Sequence, residues 1–216
     1  MIHLSAVVLW MFIILLIFTI LFLKNNFSRF VGAMGENYVK KELSQLDSTR
    51  YGVLHDVMIE TEPGKTSQID HVIVSQFGIF VIETKNYAGL IFGKEKDSNW
   101  TYVKHRSKYR FLNPILQNQG HMKALHQVLN IPMEVMISVI VFSRESELKI
   151  ETETPVIYIG ELVKHVQSYR KLQITGPESV RLAKMIKLLN ITDIGRRKAH
   201  VAYAQSSKSK SRHWAK

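Results

Sequence analysis

The chain has 216 residues, 46% of them apolar and 10% aromatic, which is enough for one ordinary domain with appendages and excludes a disordered chain. It contains no cysteine, which excludes disulfides, thiolate zinc sites and cysteine nucleophiles and fits a reducing compartment. A formal net charge of +11 points to a polyanionic partner, either nucleic acid or an acidic lipid surface.

From Leu4 to Leu23, "LSAVVLWMFIILLIFTILFL" runs 20 residues without a charge. At helical rise that covers about 30 Å, the hydrocarbon thickness of a bilayer, so residues 4–23 are expected to form a transmembrane anchor. A cleaved signal peptide fits less well. Met1, Ile2 and His3 form no basic leading region, the run is longer than such a peptide's apolar segment, and no small-residue cleavage site follows. Lys24, Arg29, Lys40 and Lys41 follow the span, against only the α-amine and His3 before it. That asymmetry predicts a single-pass cell-membrane protein with its N-terminus outside and its main domain cytoplasmic.

Past the anchor, "NNFSRFVGAMGENYVKKELSQL" reads as a helix. Phe30, Val31, Met34, Tyr38 and Leu46 give a rough apolar stripe, and Gly32, Ala33 and Gly35 permit close approach to a neighbour. Glu36 lies next to those small residues; on burial preference alone it is an ordinary solvated acid. A strand, "YGVLHDVMIE", and a turn, "TEPGKTS", lead into "QIDHVIVSQFGIFVIETKN", which reads as a buried β-hairpin carrying Asp70, Glu83 and Lys85. Uncompensated charges in such a place cost several kcal/mol each.

Two registers are open for this hairpin. A Phe77-Gly78 loop places Asp70 across from Lys85, whereas a Gln76-Phe77 loop places Asp70 across from Glu83. In both, the three charged residues share one face, because side chains alternate with a period of two. Two carboxylates offer hard oxygen ligands to Mg²⁺ or a similar ion, and a lysine beside them can orient a water or stabilise charge developing on a phosphodiester. Glu147 and Lys149 in "SRESELKI" repeat the Glu-x-Lys spacing without an acidic partner on a neighbouring strand, so the spacing alone is a weak signal.

In "FLNPILQNQGHMKALHQVL", Asn113 suits an N-cap and Pro114 the first helical position, which puts Gln117 one turn into a helix. Read alone, Gln117 is a surface amide. Histidine ligation is not expected. By alternation His71 faces away from Asp70, and His121 and His126, five apart, do not share a helix face.

Taken in order, "GEN" with Glu36, "QIDHVIVS" with Asp70, "VIETKN" with Glu83 and Lys85, and "NPILQNQ" with Gln117 resemble the NERD (nuclease-related) domain, a branch of the PD-(D/E)XK nuclease superfamily. The resemblance spans roughly Val31 to Phe142. It implies an α/β, restriction-endonuclease-like α-β-β-β-α-β core, with Asp70 and Glu83 as metal ligands, Lys85 as catalytic lysine, and Glu36 and Gln117 completing the site. It also implies Mg²⁺, or another divalent cation such as Mn²⁺, and a nucleic-acid substrate. Ile69 replaces the proline of the superfamily's name and removes no ligand.

Four segments follow from this reading: the anchor at 4–23, the nuclease-like domain at 29–150, a strand-helix extension packing on it at 151–194, and a basic tail at 195–216. The tail carries seven Lys or Arg and no acid, which predicts mobility and affinity for nucleic acid or anionic lipid. The expected function is a membrane-anchored, Mg-dependent nuclease, with a catalytically silent binding or tethering module at the membrane as the alternative.

Overall fold

The computed structural model describes residues 2–202, with side chains described for 8–22 and from 30 onward. The apolar stretch and the Glu36 helix are one continuous element, α1 (Ile2–Leu43). Among the described residues no helix is long and apolar enough to cross a membrane. The two ends of the expected span, 4–7 and 23, have their side chains outside the described set.

Strands β1 (Gly52–Glu62), β2 (Lys65–Ser75) and β3 (Gly78–Lys85) form an antiparallel meander. The chain then builds β4 (Gly89–Lys94), β5 (Asn99–Lys104) and β6 (Ser107–Leu112), and crosses through α2 (Pro114–Leu129) to β7 (Met136–Phe142), which lies parallel to β3. This is the expected α-β-β-β-α-β order, with a three-stranded insertion between β3 and α2. After β7 come β8 (Ser146–Glu151), β9 (Val156–Tyr158), α3 (Leu162–Ser168) and α4 (Gly176–Leu189). The main sheet has the order β1-β2-β3-β7-β9 and the second sheet β6-β5-β4-β8.

Helices cover both faces of the main sheet, so its central strands read as unbroken apolar runs. Val72, Val74, Ile79 and Val81 pack under α2 and α4 with Leu125, Leu182 and Ile186. Ile73, Phe80, Ile82 and Val139 pack under α1 and α3 with Val39, Leu43, Leu162 and Val166. A third cluster, around Ile91, Trp100, Ile115, Ile140 and Phe142, joins the second sheet to the carboxyl ends of β3 and β7.

Of the two registers open for the β2–β3 hairpin, the structure has the second: Ser75 faces Gly78 and the loop is Gln76-Phe77. Ser75 fixes it, accepting from the Phe77 N–H at 3.2 Å and donating to the Gly78 carbonyl at 3.2 Å. Gly78 has φ +132° and lies where a Cβ would meet the Val135 carbonyl at 2.8 Å, so the strand start demands glycine.

Residues 195–202, expected as part of a mobile tail, are instead helical, within a segment running over 194–202; residues 203–216 lie outside the described set. The reason lies on the edge strand β1. Met58 donates to Asn190 Oδ1 at 2.8 Å and accepts from the Ile191 N–H at 2.7 Å, steering the chain along that edge. Arg196 then reaches Glu60 at 2.5 Å and Arg197 pairs with Asp56.

Candidate active site

The β1–β2 ladder pairs His55 with His71 and Val57 with Ile69, skipping Asp56 and Asp70, which lie opposite one another. Asp56 takes a left-handed backbone, φ +52°. Alternation loses phase there: Ile69 joins the α2/α4 core along with Val72, while His71 is fully buried against His55. The β2–β3 ladder also stops at His71, and the Asp70 carboxylate then accepts from the Thr84 N–H at 2.8 Å. Asp70 is thereby released from the sheet pattern and held at its margin, beside Glu83.

Glu83 is 2% exposed. Its Oε1 receives the Lys85 ammonium at 2.5 Å, and its Oε2 lies 3.3 Å from His121 Nε2, a close approach that lacks the alignment of a directed hydrogen bond. Lys85 also donates to Gln117 Oε1 at 2.9 Å. Asn113 caps α2 as the sequence suggests, its side chain accepting from Ile115 N, and Asn118 pins the helix to β3 and β7 through the Val81 carbonyl and Ser138 Oγ. Gln117 and His121, one turn apart on α2, therefore both face β3.

Glu36 comes from α1 and is half-buried. A Cβ on Gly35 would meet Asn86 Cβ at 2.7 Å, and Asn86 donates to the Val31 carbonyl at 2.6 Å, so Gly35 is what lets the helix lie against the end of β3. Burial pushes the Glu36 carboxyl above its ordinary range, and the Asp56 and Glu83 charges add to this.

The four groups divide into a satisfied pair and two charges in excess. Burial alone would raise Glu83, but Lys85 and His121 outweigh it and hold the carboxylate below its usual range; Lys85 is raised in turn by Glu83 despite its own burial. Asp70 is raised well above a normal aspartate by burial and then by the Glu83 charge, and among the described residues no cation pairs with it. A carboxylate pressed toward protonation beside a second, fixed carboxylate suits a divalent cation.

No group of three or more His, Asp or Glu among the described residues could hold a metal by itself. Mg²⁺ is commonly held through one or two carboxylates with water and substrate phosphate filling the rest. Asp70 and Glu83 fit that use, and among the described residues the buried Glu83 Oε2 has no aligned hydrogen-bond donor, only the His121 ring 3.3 Å away.

The Glu147–Lys149 pair shows the contrast. It closes at 2.9 Å on β8, but its side chains are 63% and 56% exposed, against 2% and 14% for Glu83 and Lys85. It is a surface ion pair, of little energetic worth.

Four residues near the site were not singled out from the sequence. His121 is the first; Ser67 Oγ lies 2.8 Å from its Nδ1 and sets the ring. Its signal was the four-residue spacing from Gln117, not the five-residue spacing to His126. Asp56 is the second, accepting from Gln68 Nε2 at 2.8 Å as well as from Arg197. Arg197 and His200 arrive from the far end of the chain, His200 Nδ1 lying 2.7 Å from Thr66 Oγ1.

Behind Asp70, His71 faces the other layer, as alternation suggests. Its Nδ1 lies 2.9 Å from His55 Nδ1, a distance that requires one ring to donate and the other to accept. Burial, with His55 and Lys40 nearby, holds His71 down at about 3. An unfolded histidine protonates near pH ~6.5, so the stability gained by keeping His71 neutral is present above that pH and is lost as pH falls toward the folded value. Unfolding free energies from urea titrations at pH 7 to pH 5 should fall more steeply for the parent than for His71→Gln, by up to roughly 1.4 kcal/mol per pH unit for one proton. Equal slopes would show that His71 takes up its proton freely in the folded chain.

A mixed α/β sheet flanked by helices, with Asp70, Glu83, Lys85 and Gln117 gathered at one margin, defines a nuclease-like domain. Residues 31–143 match the family model described as NERD, nuclease-related domain, and the chain belongs to that family, which implies the PD-(D/E)XK superfamily. It is also similar to a protein of Bacillus anthracis described as uncharacterized, with 38% identity over 191 residues, covering 87% of this chain and 90% of that relative. No solved structure matches the chain.

Proposed function

We propose that the protein is a membrane-anchored, divalent-cation-dependent nuclease hydrolysing phosphodiester bonds in DNA or RNA. The observation that carries this reading is Asp70: a desolvated carboxylate, raised well above its ordinary range, beside an ion-paired Glu83 and without a cation of its own among the described residues. Asp70 and Glu83 would hold the ion. The chemistry a bound Mg²⁺ or Mn²⁺ supplies is neutralisation of the phosphate and acidification of water.

The chain's own residues divide the remaining work. Lys85 spends two of its three N–H groups on Glu83 and Gln117 and keeps the third for the attacking water or a phosphate oxygen. Gln117 fixes the ammonium's direction. His121 stands over the second Glu83 oxygen, and the raised Glu36 carboxyl lies close enough to Asp70 to repel its charge. Purified full-length protein in detergent should cleave single-stranded or duplex DNA or RNA only with Mg²⁺ or Mn²⁺, and Glu147→Ala and Lys149→Ala should leave that cleavage unchanged. Absence of both metal binding and cleavage would leave a silent binding module.

The anchoring part of the proposal rests on exposed apolar side chains. On α1, Leu9, Trp10, Met11, Phe12, Leu15, Leu16, Phe18 and Leu21 are each at least 60% exposed, with no protein surface packed over them. A contiguous apolar surface of this kind marks a membrane or partner contact, and the length of the uncharged run favours a bilayer. Helical rise then sets Glu36 roughly 20 Å beyond Leu23, so the site would stand close to the cytoplasmic membrane surface. The protein should stay in the membrane pellet after alkaline carbonate washing, and a C-terminal tag should resist protease in intact cells. Release into the wash would remove the anchor; cleavage of the tag would reverse the orientation.

A further inference from the structure

The insertion between β3 and α2 carries a feature that the phosphodiester chemistry does not use. Tyr87, two residues beyond Lys85, stacks on Tyr102 of β5 with ring centroids 4.8 Å apart and planes 9° apart. Tyr102 stacks in turn on its cross-strand partner Tyr109 of β6, at 4.8 Å and 17°. The three rings form a ladder from the catalytic margin to the sheet edge. Its foot is fixed, because the Ser143 and Ser146 hydroxyls both donate to the Tyr87 carbonyl, at 3.0 and 2.9 Å, and Phe111 packs on the Tyr87 ring at 4.7 Å. Its outer end is open, since Tyr109 is 47% exposed.

The same hairpin is strongly basic. Residues 99–112 contain Lys104, Arg106, Lys108 and Arg110 and no acid. All four are exposed, and among the described residues none of them forms an ion pair. Pairing Lys104 with Ser107 places Lys104 on the ring-bearing face at the hairpin tip, while Lys108 and Arg110 line the opposite face of the edge strand.

Unpaired cations beside an exposed aromatic face are the elements of a single-strand platform: the cations follow the phosphates while a base stacks on the ring. A duplex keeps its bases stacked on one another and has no face to offer Tyr109. We propose that the β5–β6 hairpin is a docking surface for single-stranded nucleic acid, with an unpaired base stacking on Tyr109 and the tyrosine ladder leading the strand toward Lys85. The inference rests on the nuclease reading for its purpose, but the docking itself requires neither metal nor cleavage.

The test is binding of a fluorescent 15-nucleotide oligothymidylate, and of a fully paired two-strand DNA duplex, to full-length protein in detergent with EDTA and in the Asp70→Asn background. Tyr109→Ala should weaken oligothymidylate binding about tenfold, the scale of one lost base–aromatic stack, and leave duplex binding unchanged. Tyr109→Phe should retain affinity; Tyr109→Leu, which keeps an apolar side chain against Tyr102 but no ring, should lose it. Lys104→Ala with Arg106→Ala should weaken both nucleic acids and lower the single-strand salt slope by roughly 0.7 per lost phosphate contact. Unchanged oligothymidylate affinity in Tyr109→Ala, or an equal loss on duplex, overturns the platform whether or not the protein cleaves. Loss confined to anionic phosphatidylserine vesicles would overturn it in favour of a lipid-facing hairpin. Ring-dependent binding without any metal-dependent cleavage would uphold the platform and remove the nuclease.

Discussion

Asp70→Asn should abolish both divalent-cation binding and cleavage while leaving the fold as stable as the parent, or more so, when metal is withheld. The amide keeps the shape of the side chain and an oxygen that can accept the Thr84 N–H. It removes the charge that burial and Glu83 oppose. The sign of the effect on stability follows from that raised folded pKa. The carboxyl's contribution is fully present below the unfolded value, near pH ~3.8, and is lost as pH rises through the folded one. At neutral pH the ionised carboxylate is therefore a burden, of about 1.4 kcal/mol for every tenfold by which folding weakens its acidity. Mg²⁺ reverses the balance in the parent, since a ligand of the native state alone stabilises by RT ln(1 + [L]/Kd). Thermal melting in EDTA and in Mg²⁺ should therefore cross: the variant at or above the parent without metal, and below it with metal. A variant that still gained stability from Mg²⁺, or still cleaved, would remove Asp70 from the metal site.

Glu83 and Lys85 were legible together through the period of two along β3. Asp70 reaches them by a route parity does not describe: the β1–β2 ladder skips it, the β2–β3 ladder stops beside it, and its carboxylate accepts from the Thr84 N–H. Gln117 was legible through Asn113 and Pro114, which set the start of α2 and hence its phase. His121 follows from that phase as well, but histidine spacing directed attention to His126. Asp56 gave no signal, because "VLHDVMIE" reads simply as a strand and only the paired structure shows that both strands lose register at Asp56 and Asp70.

What escaped the sequence is mostly long-range. β4 lies against β8 in parallel, with Gly89 facing Ser146, and nothing within either segment names a partner more than fifty residues away. The helix over 194–202 is hidden from composition for a related reason. Composition counts Arg196 and Arg197 as solvated charges, whereas Met58 on an open sheet edge steers them to Glu60 and Asp56. The apolar run was plain from hydropathy and the Glu36 helix was read from Asn25 onward, but that the two form one unbroken element is seen only in the structure.

Lys85→Ala should carry two separable penalties. The first is structural: Glu83 is 2% exposed, and withdrawing its ammonium partner leaves a buried carboxylate facing only His121. Removing one member of a buried pair costs about 3–5 kcal/mol, much of it the desolvation of the charge left behind. Glu83→Gln in the same chain should recover part of that loss, so the double variant should be more stable than the sum of the singles predicts. The second penalty is catalytic, with turnover falling by roughly two to three orders of magnitude, as for loss of one donor aimed at developing charge. Mg²⁺ separates them. A cation held by Asp70 and Glu83 would replace the missing positive charge, so Lys85→Ala should gain more denaturant resistance from Mg²⁺ than the parent does, yet remain inactive once saturated. Recovery of turnover along with stability would make Lys85 a counter-ion for Glu83 and nothing more; failure of Mg²⁺ to restore stability would place the ion away from Glu83.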